Sequence, residues 1–243
     1  RILKEKRIDA WLTFVRESAT MPDPAIDMVV GQHCTWQTAW LILHSGRTIA
    51  IAGNLDVASI KAAGRYGEVV SYLQGIGPEL RRVLDEIAPA SIAINYSTDS
   101  ATADGLTHGM YLQLTRYLEG TPYASRLVSA EAVIAALRGR KTRQEVARIK
   151  KAIALTLDIF DAVTGYLAPG RTEQDVARFI LRQVKAHGVE LAWSEEHCPA
   201  VFTGPDHAGA HFGPTARRIE RGHVLNIDFG VKVDGYCSDL QRT

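Results

Sequence analysis

Apolar and polar positions along the 243-residue chain follow two different rhythms. In the first half, short apolar runs alternate with helical stretches. Residues 10–15 (Ala-Trp-Leu-Thr-Phe-Val) form a continuous apolar run, which predicts a buried strand. Residues 38–43 and 48–52 are two more such runs. Ser45-Gly46-Arg47 lies between them and predicts a hairpin. Pro78 opens a helical stretch with Leu80, Val83, Leu84 and Ile87 on one face, and Pro89 ends it. Residues 92–95 predict another short strand. Strands interleaved with covering helices make an α/β layer structure.

The second half begins with helices. Thr142-Arg143-Gln144-Glu145 has the form of a capping box, in which the hydroxyl and the carboxylate satisfy free amides at a helix start. Val146, Ile149, Ile153, Leu157 and Phe160 follow at helical spacing. Pro169-Gly170 breaks the run. A second helix starts at Thr172–Asp175, with Val176, Phe179, Ile180 and Val184 on its apolar face and Gly188 as its stop. Residues 198–214, rich in Gly, Pro and His, read as loop. Strands resume at Val224. The domain junction falls between residues 128 and 143.

From Leu225 to Val233 the alternation is strict. Leu225, Ile227, Phe229, Val231 and Val233 share one face, and Asn226, Asp228, Gly230 and Lys232 share the other. If Asp234-Gly235 is a two-residue turn, Val233 pairs with Tyr236 and Asp228 with Gln241. Asp239 then shares the open face of Asp228 as its diagonal cross-strand neighbour. Gly230, opposite Asp239, leaves space there. A three-residue turn would send Asp239 to the opposite face. Asp on a solvent-facing strand is common and a loop histidine is ordinarily solvated, so neither the pair nor His211 is decisive alone.

Composition narrows the picture. With 46% hydrophobic residues the chain can bury a proper core, as one large domain or two smaller ones. A formal charge of +1 points to neither nucleic acid nor an anionic membrane as partner. No apolar stretch is long enough to span a bilayer. The first residues lack an apolar leader, and the missing initial Met suggests a piece of a longer product. Three widely spaced cysteines, Cys34, Cys198 and Cys237, fit reduced thiols in a cytoplasm better than a disulfide framework. Asn95-Tyr96-Ser97 matches a glycosylation acceptor and reads as chance.

Taken together, His211-Phe212, Ile227-Asp228-Phe229-Gly230, Gly235-Tyr236, Ser238-Asp239 and Arg242-Thr243 resemble the creatinase/prolidase-like metallopeptidases. This pita-bread family includes Xaa-Pro aminopeptidases, Xaa-Pro dipeptidases and methionine aminopeptidases. The 11-residue spacing from Asp228 to Asp239 agrees with the family's first two metal ligands, and the 17 residues from His211 to Asp228 fit its substrate-site histidine. Leu137-Arg138, Lys141-Thr142 and Glu145 resemble the entry to the catalytic domain, and Gly170-Arg171-Thr172-Glu173 its second helix start. The resemblance implies an accessory amino-terminal α/β domain of ribonuclease H-like layout over residues 1–132. Residues 133–243 would be the first part of an α+β pita-bread domain.

By the same resemblance, Asp228 chelates one metal ion, Asp239 bridges two, and His211 contacts the substrate near the scissile bond. A water held between two divalent ions then attacks the peptide carbonyl. Carboxylate ligands suit Mn, with Co and Zn as alternatives. The implied substrate is a peptide with proline in second position, and the implied assembly a homodimer. The family's remaining ligands, a histidine and two glutamates, lie downstream of its second Asp, and Thr243 is four residues past Asp239. The 243 residues alone are therefore expected to bind metal weakly and to lack peptidase activity. A creatinase-like hydrolase of small amidines or amides and a non-catalytic binding module are the alternatives.

Other clusters read more plainly. His197, Cys198, His207 and His211 could make a zinc site, but Gly209, Pro205 and Pro214 favour a loop that walls the substrate cleft. The basic residues from Arg138 to Lys151 lack interleaved aromatics and read as a solvated helix face. Trp11, Trp36, Trp40 and Trp193 read as core or interface residues, with Trp36 and Trp40 the pair to line an oligomer contact if partly exposed.

Overall fold

The apolar run near the start of the chain becomes the central strand of a sheet covered on both faces. The computed structural model describes residues 1–21, 23–204 and 213–243. Two units divide at Arg140/Lys141. In the first, the order is α1 (Ile2–Lys6), β1 (Ala10–Val15), β2 (Thr38–Leu43), β3 (Thr48–Gly53), α2 (Asn54–Ala63), β4 (Glu68–Tyr72) and α3 (Gly77–Ile87). Then follow β5 (Ile92–Ile94), α4 (His108–Tyr117), β6 (Leu127–Ser129) and α5 (Glu131–Gly139).

The sheet order is β4-β3-β2-β1-β5-β6. The β1–β2 and β2–β3 pairs are antiparallel, and β3–β4, β1–β5 and β5–β6 are parallel. Every residue of β1 is buried. Leu12 and Phe14 pack with Leu80, Leu84 and Leu114 of α3 and α4. Trp11 packs on the other side with Leu3, Val133 and Ile134 of α1 and α5. Double coverage explains why the run is continuous rather than alternating. Each such fully buried aliphatic side chain contributes roughly 1.5–3 kcal/mol.

Helix α5 crosses the expected division at 132/133. The unit boundary lies after Arg140 because Val133 and Ile134 belong to the core of the first unit. The acceptor-like Asn95 is also part of this core. Its amide donates to Thr13 Oγ1 at 3.2 Å and Asp23 Oδ1 at 2.7 Å, and its oxygen accepts Trp11 Nε1 at 2.6 Å. Burial pushes the Asp23 carboxyl above the usual range. The tryptophan pair separates: Trp40 is 1% exposed, in the core, and Trp36 is 37% exposed.

The second unit contains α6 (Arg143–Tyr166), α7 (Glu173–Ala186), β7 (Glu190–Leu191), β8 (Ala200–Thr203), β9 (Leu225–Phe229), β10 (Val231–Val233), β11 (Tyr236–Cys237) and β12 (Leu240–Arg242). Capping boxes start both helices, Thr142 with Glu145 and Thr172 with Asp175. Ile159, Phe160 and Val163 of α6 and Val176, Ile180 and Val184 of α7 pack on Ile227, Phe229, Val231 and Val233. Phe160 and Phe229 meet with ring centroids 4.7 Å apart.

Two features differ from expectation. The strand over 225–233 is interrupted at Gly230, so that β9 joins an order β12-β9-β8 and β10 an order β11-β10-β7. The stretch expected to be loop contains β8, antiparallel to β9. Among the described residues, no helix is long and apolar enough to cross a membrane.

Candidate functional site

The carboxylates are positioned by the hairpin turn. Asp234 and Gly235 have φ of 51° and 82°, both in the left-handed region. Two positive φ values make the turn whose twist matches its flanking strands. Val233 faces Tyr236, Phe229 faces Leu240 and Asp228 faces Gln241, so one register runs the length of the ribbon. The turn is also tied to α6. Lys151 Nζ lies 3.2 Å from Asp234 Oδ2, and the Tyr236 hydroxyl donates to Glu145 Oε1 at 2.7 Å.

Alternation along the returning strand settles its faces. Ser238 is 3% exposed and turns toward α6, where its hydroxyl lies 2.7 Å from Thr156 Oγ1. It also binds Val231, accepting the N–H at 2.9 Å and donating to the carbonyl at 3.2 Å. Leu240 packs into the same apolar core as Phe229. Asp239 and Gln241 therefore face the other way, with Asp228. The two carboxylates are diagonal neighbours, roughly 7–8 Å apart at the backbone by ordinary sheet geometry. Asp239 is exposed and Asp228 half-buried. Gly230 lets the strands close here, because an added Cβ would collide with the Ser238 carbonyl.

Burial pushes the Cys198 thiol up, and Asp228 and Asp239 push it further, while hydrogen bonding to backbone at Gly230 and Trp193 opposes them. Beside Asp228, the buried Asn226 donates to Thr243 Oγ1 at 3.0 Å and accepts Gln241 Nε2 at 3.0 Å. Two carboxylates on one face of the ribbon are of the donor type that a hard divalent cation takes. Among the described residues, no group of three or more His, Cys, Asp or Glu could hold a metal ion.

His211 and His207 lie outside the described residues. Of the other two members of the candidate zinc set, His197 is exposed and Cys198 buried. Sequence reasoning missed two contributors. Strand β8 sets Ala200 opposite Asp228, and its only signal is the alternation of Val201 and Thr203 with Ala200 and Phe202. Glu173 is 2% exposed and accepts hydrogen bonds from Thr203 and Thr215, yet in the sequence it reads only as part of the second helix start.

Residues 147–243 match the model of metallopeptidase family M24. Over 206 residues the chain is 27% identical to an uncharacterized peptidase of Staphylococcus aureus, a match covering 84% of this chain and 54% of the relative. Over 108 residues it is 32% identical to a Mycoplasma pneumoniae protein with the provisional name Xaa-Pro aminopeptidase, covering 44% and 29%. Among solved structures, dipeptidase PepE from Mycobacterium ulcerans superposes with a TM-score of 0.65 at 25% identity, over 99% of this chain and 61% of that one. A Xaa-Pro dipeptidase from Bacillus anthracis gives 0.64 at 21% identity, over 99% and 61%, a likeness of fold. The chain spans about half the length of the curated relatives it matches.

Proposed function

We propose, starting from the metallopeptidase family M24 domain that the chain carries over residues 147–243, that the whole protein is a metal-dependent exopeptidase cleaving bonds next to proline. The observation that supports this most is the single hairpin register, which turns Asp228 and Asp239 toward the same face. In this proposal Asp228 and Asp239 would hold the divalent metal, with Mn the ion best suited to carboxylate oxygens. Such ions supply an activated water and polarise the peptide carbonyl.

The chain's own residues do the rest. The Ser238 hydroxyl, held by Thr156 and Val231, fixes the backbone beside Asp239. Gly230 lets that backbone approach the strand of Asp228. His211 contacts the substrate near the scissile bond and supports charge developing there. Arg1–Arg140 serves as an accessory domain of ribonuclease H-like layout, and Lys141–Thr243 begins a pita-bread catalytic domain. A homodimer belongs to the same proposal and is checked by sedimentation.

The test uses the full-length protein on Xaa-Pro dipeptides and on longer Xaa-Pro peptides, with Mn added or chelated. Hydrolysis should need the metal, and D228N and D239N should each lower kcat/KM by roughly a hundredfold or more with the fold retained. Wild-type turnover in both variants would overturn the metal roles. Turnover confined to small amidines or amides would move the protein to a creatinase-like reaction, and peptide binding without turnover to a binding module.

A further inference from the structure

We infer that Glu173 is a positioning residue for this site, stapling together the two flanks of the segment that bears His211. Its relevance to turnover rests on the peptidase reaction proposed above. Glu173 is the first residue of α7 and is 2% exposed. Its Oε1 accepts the Thr203 N–H at 2.8 Å. Its Oε2 accepts the Thr215 N–H at 2.8 Å and the Thr215 hydroxyl at 2.6 Å. Thr203 ends β8, the strand that pairs with β9 and faces Asp228 through Ala200. Thr215 lies four residues past His211.

One buried carboxylate therefore joins the strand beside Asp228 to the chain returning from His211. The surrounding backbone reinforces the joint. The Glu173 N–H donates to Arg217 O and the Gln174 N–H to Thr215 O, each at 3.1 Å, and the Gly204 N–H donates to Val224 O at 2.9 Å. Three donors converge on two oxygens. A carboxylate accepts all of them, whereas a glutamine amide must point an N–H at one and lose it. The start of α7 favours the negative charge, and charge-assisted bonds are roughly twice as strong as neutral ones. A helix cap does not require this residue, since Thr172 and Asp175 already form the capping box.

Amide exchange, Mn content and Xaa-Pro turnover should be measured together on the full-length protein, wild type and E173Q. Exchange at residues 203–204 and 215–217 should quicken about tenfold or more while α6 stays protected. kcat should fall about tenfold or more, with KM within about threefold and Mn content unchanged. T215V should move both readouts the same way by less, and T215S should restore them. Exchange that stays slow in E173Q, or a kcat that stays high, overturns the staple. So does a fall in kcat matched by lost Mn. If E173Q does not fold, T215V against T215S decides in its place. A wild-type protein that hydrolyses no Xaa-Pro peptide sinks the peptidase function instead, and the exchange comparison still decides whether Glu173 fixes the flanks.

Discussion

At Gly230 a hydrogen atom is the only side chain the ribbon accepts. The Ser238 carbonyl and the Ala192 side chain occupy the space a methyl group would need. The backbone of Ala192 also donates to the Gly230 carbonyl at 2.9 Å. The crowding atoms are mostly backbone, so a larger residue must move a strand rather than a rotamer. G230A should therefore destabilise the second unit by about 1–3 kcal/mol, the ordinary cost of overpacking, seen as a lower denaturation midpoint. An unchanged midpoint would show that the strands have room to separate. In the sequence Gly230 reads as free space opposite Asp239. The close approach of Ser238 depends on packing against α6, which no local pattern encodes.

Helix starts and strand pairings respond to pH in a definite direction. Glu145 is held down at about 2, mainly by the Thr142 N–H and next by the Tyr236 hydroxyl. Asp175 is likewise held at about 2, mainly by the Thr172 N–H. Both folded values lie below the ordinary 4.5 and 3.8, so their stabilisation is complete above those values. It is lost as pH falls toward about 2. E145Q should lower Tm at pH 7 and leave a smaller drop between pH 5 and pH 2.5 than wild type shows. An identical acid slope would deny Glu145 this role. The Thr142–Glu145 capping box was legible in the sequence because both partners lie within one turn, whereas Thr172–Asp175 read only as a helix start. The Asp234-Gly235 hairpin was legible for the same reason, and its register followed from counting. Strand β8 was not, because four residues in a Gly- and Pro-rich stretch become a strand only through distant β9. Glu173 was hidden likewise, since its partners Thr203 and Thr215 are far along the chain.

Across the whole molecule, each unit has an apolar core of its own, and thiols are distributed unevenly between inside and outside. Cys34 and Cys198 are buried, and Cys237 is exposed. Burial pushes the first two thiols up, which suppresses their reactive thiolate. A disulfide reagent should count one fast thiol in the native chain and three after denaturation; two or three fast thiols in the native chain would contradict this burial. By the two-residue period of a strand, Cys237 shares its side of the ribbon with Asp239. A fluorophore attached at that sulfur would sit beside the acidic pair without any engineered cysteine. The protein thus carries its own attachment point for an optical gauge of cation arrival.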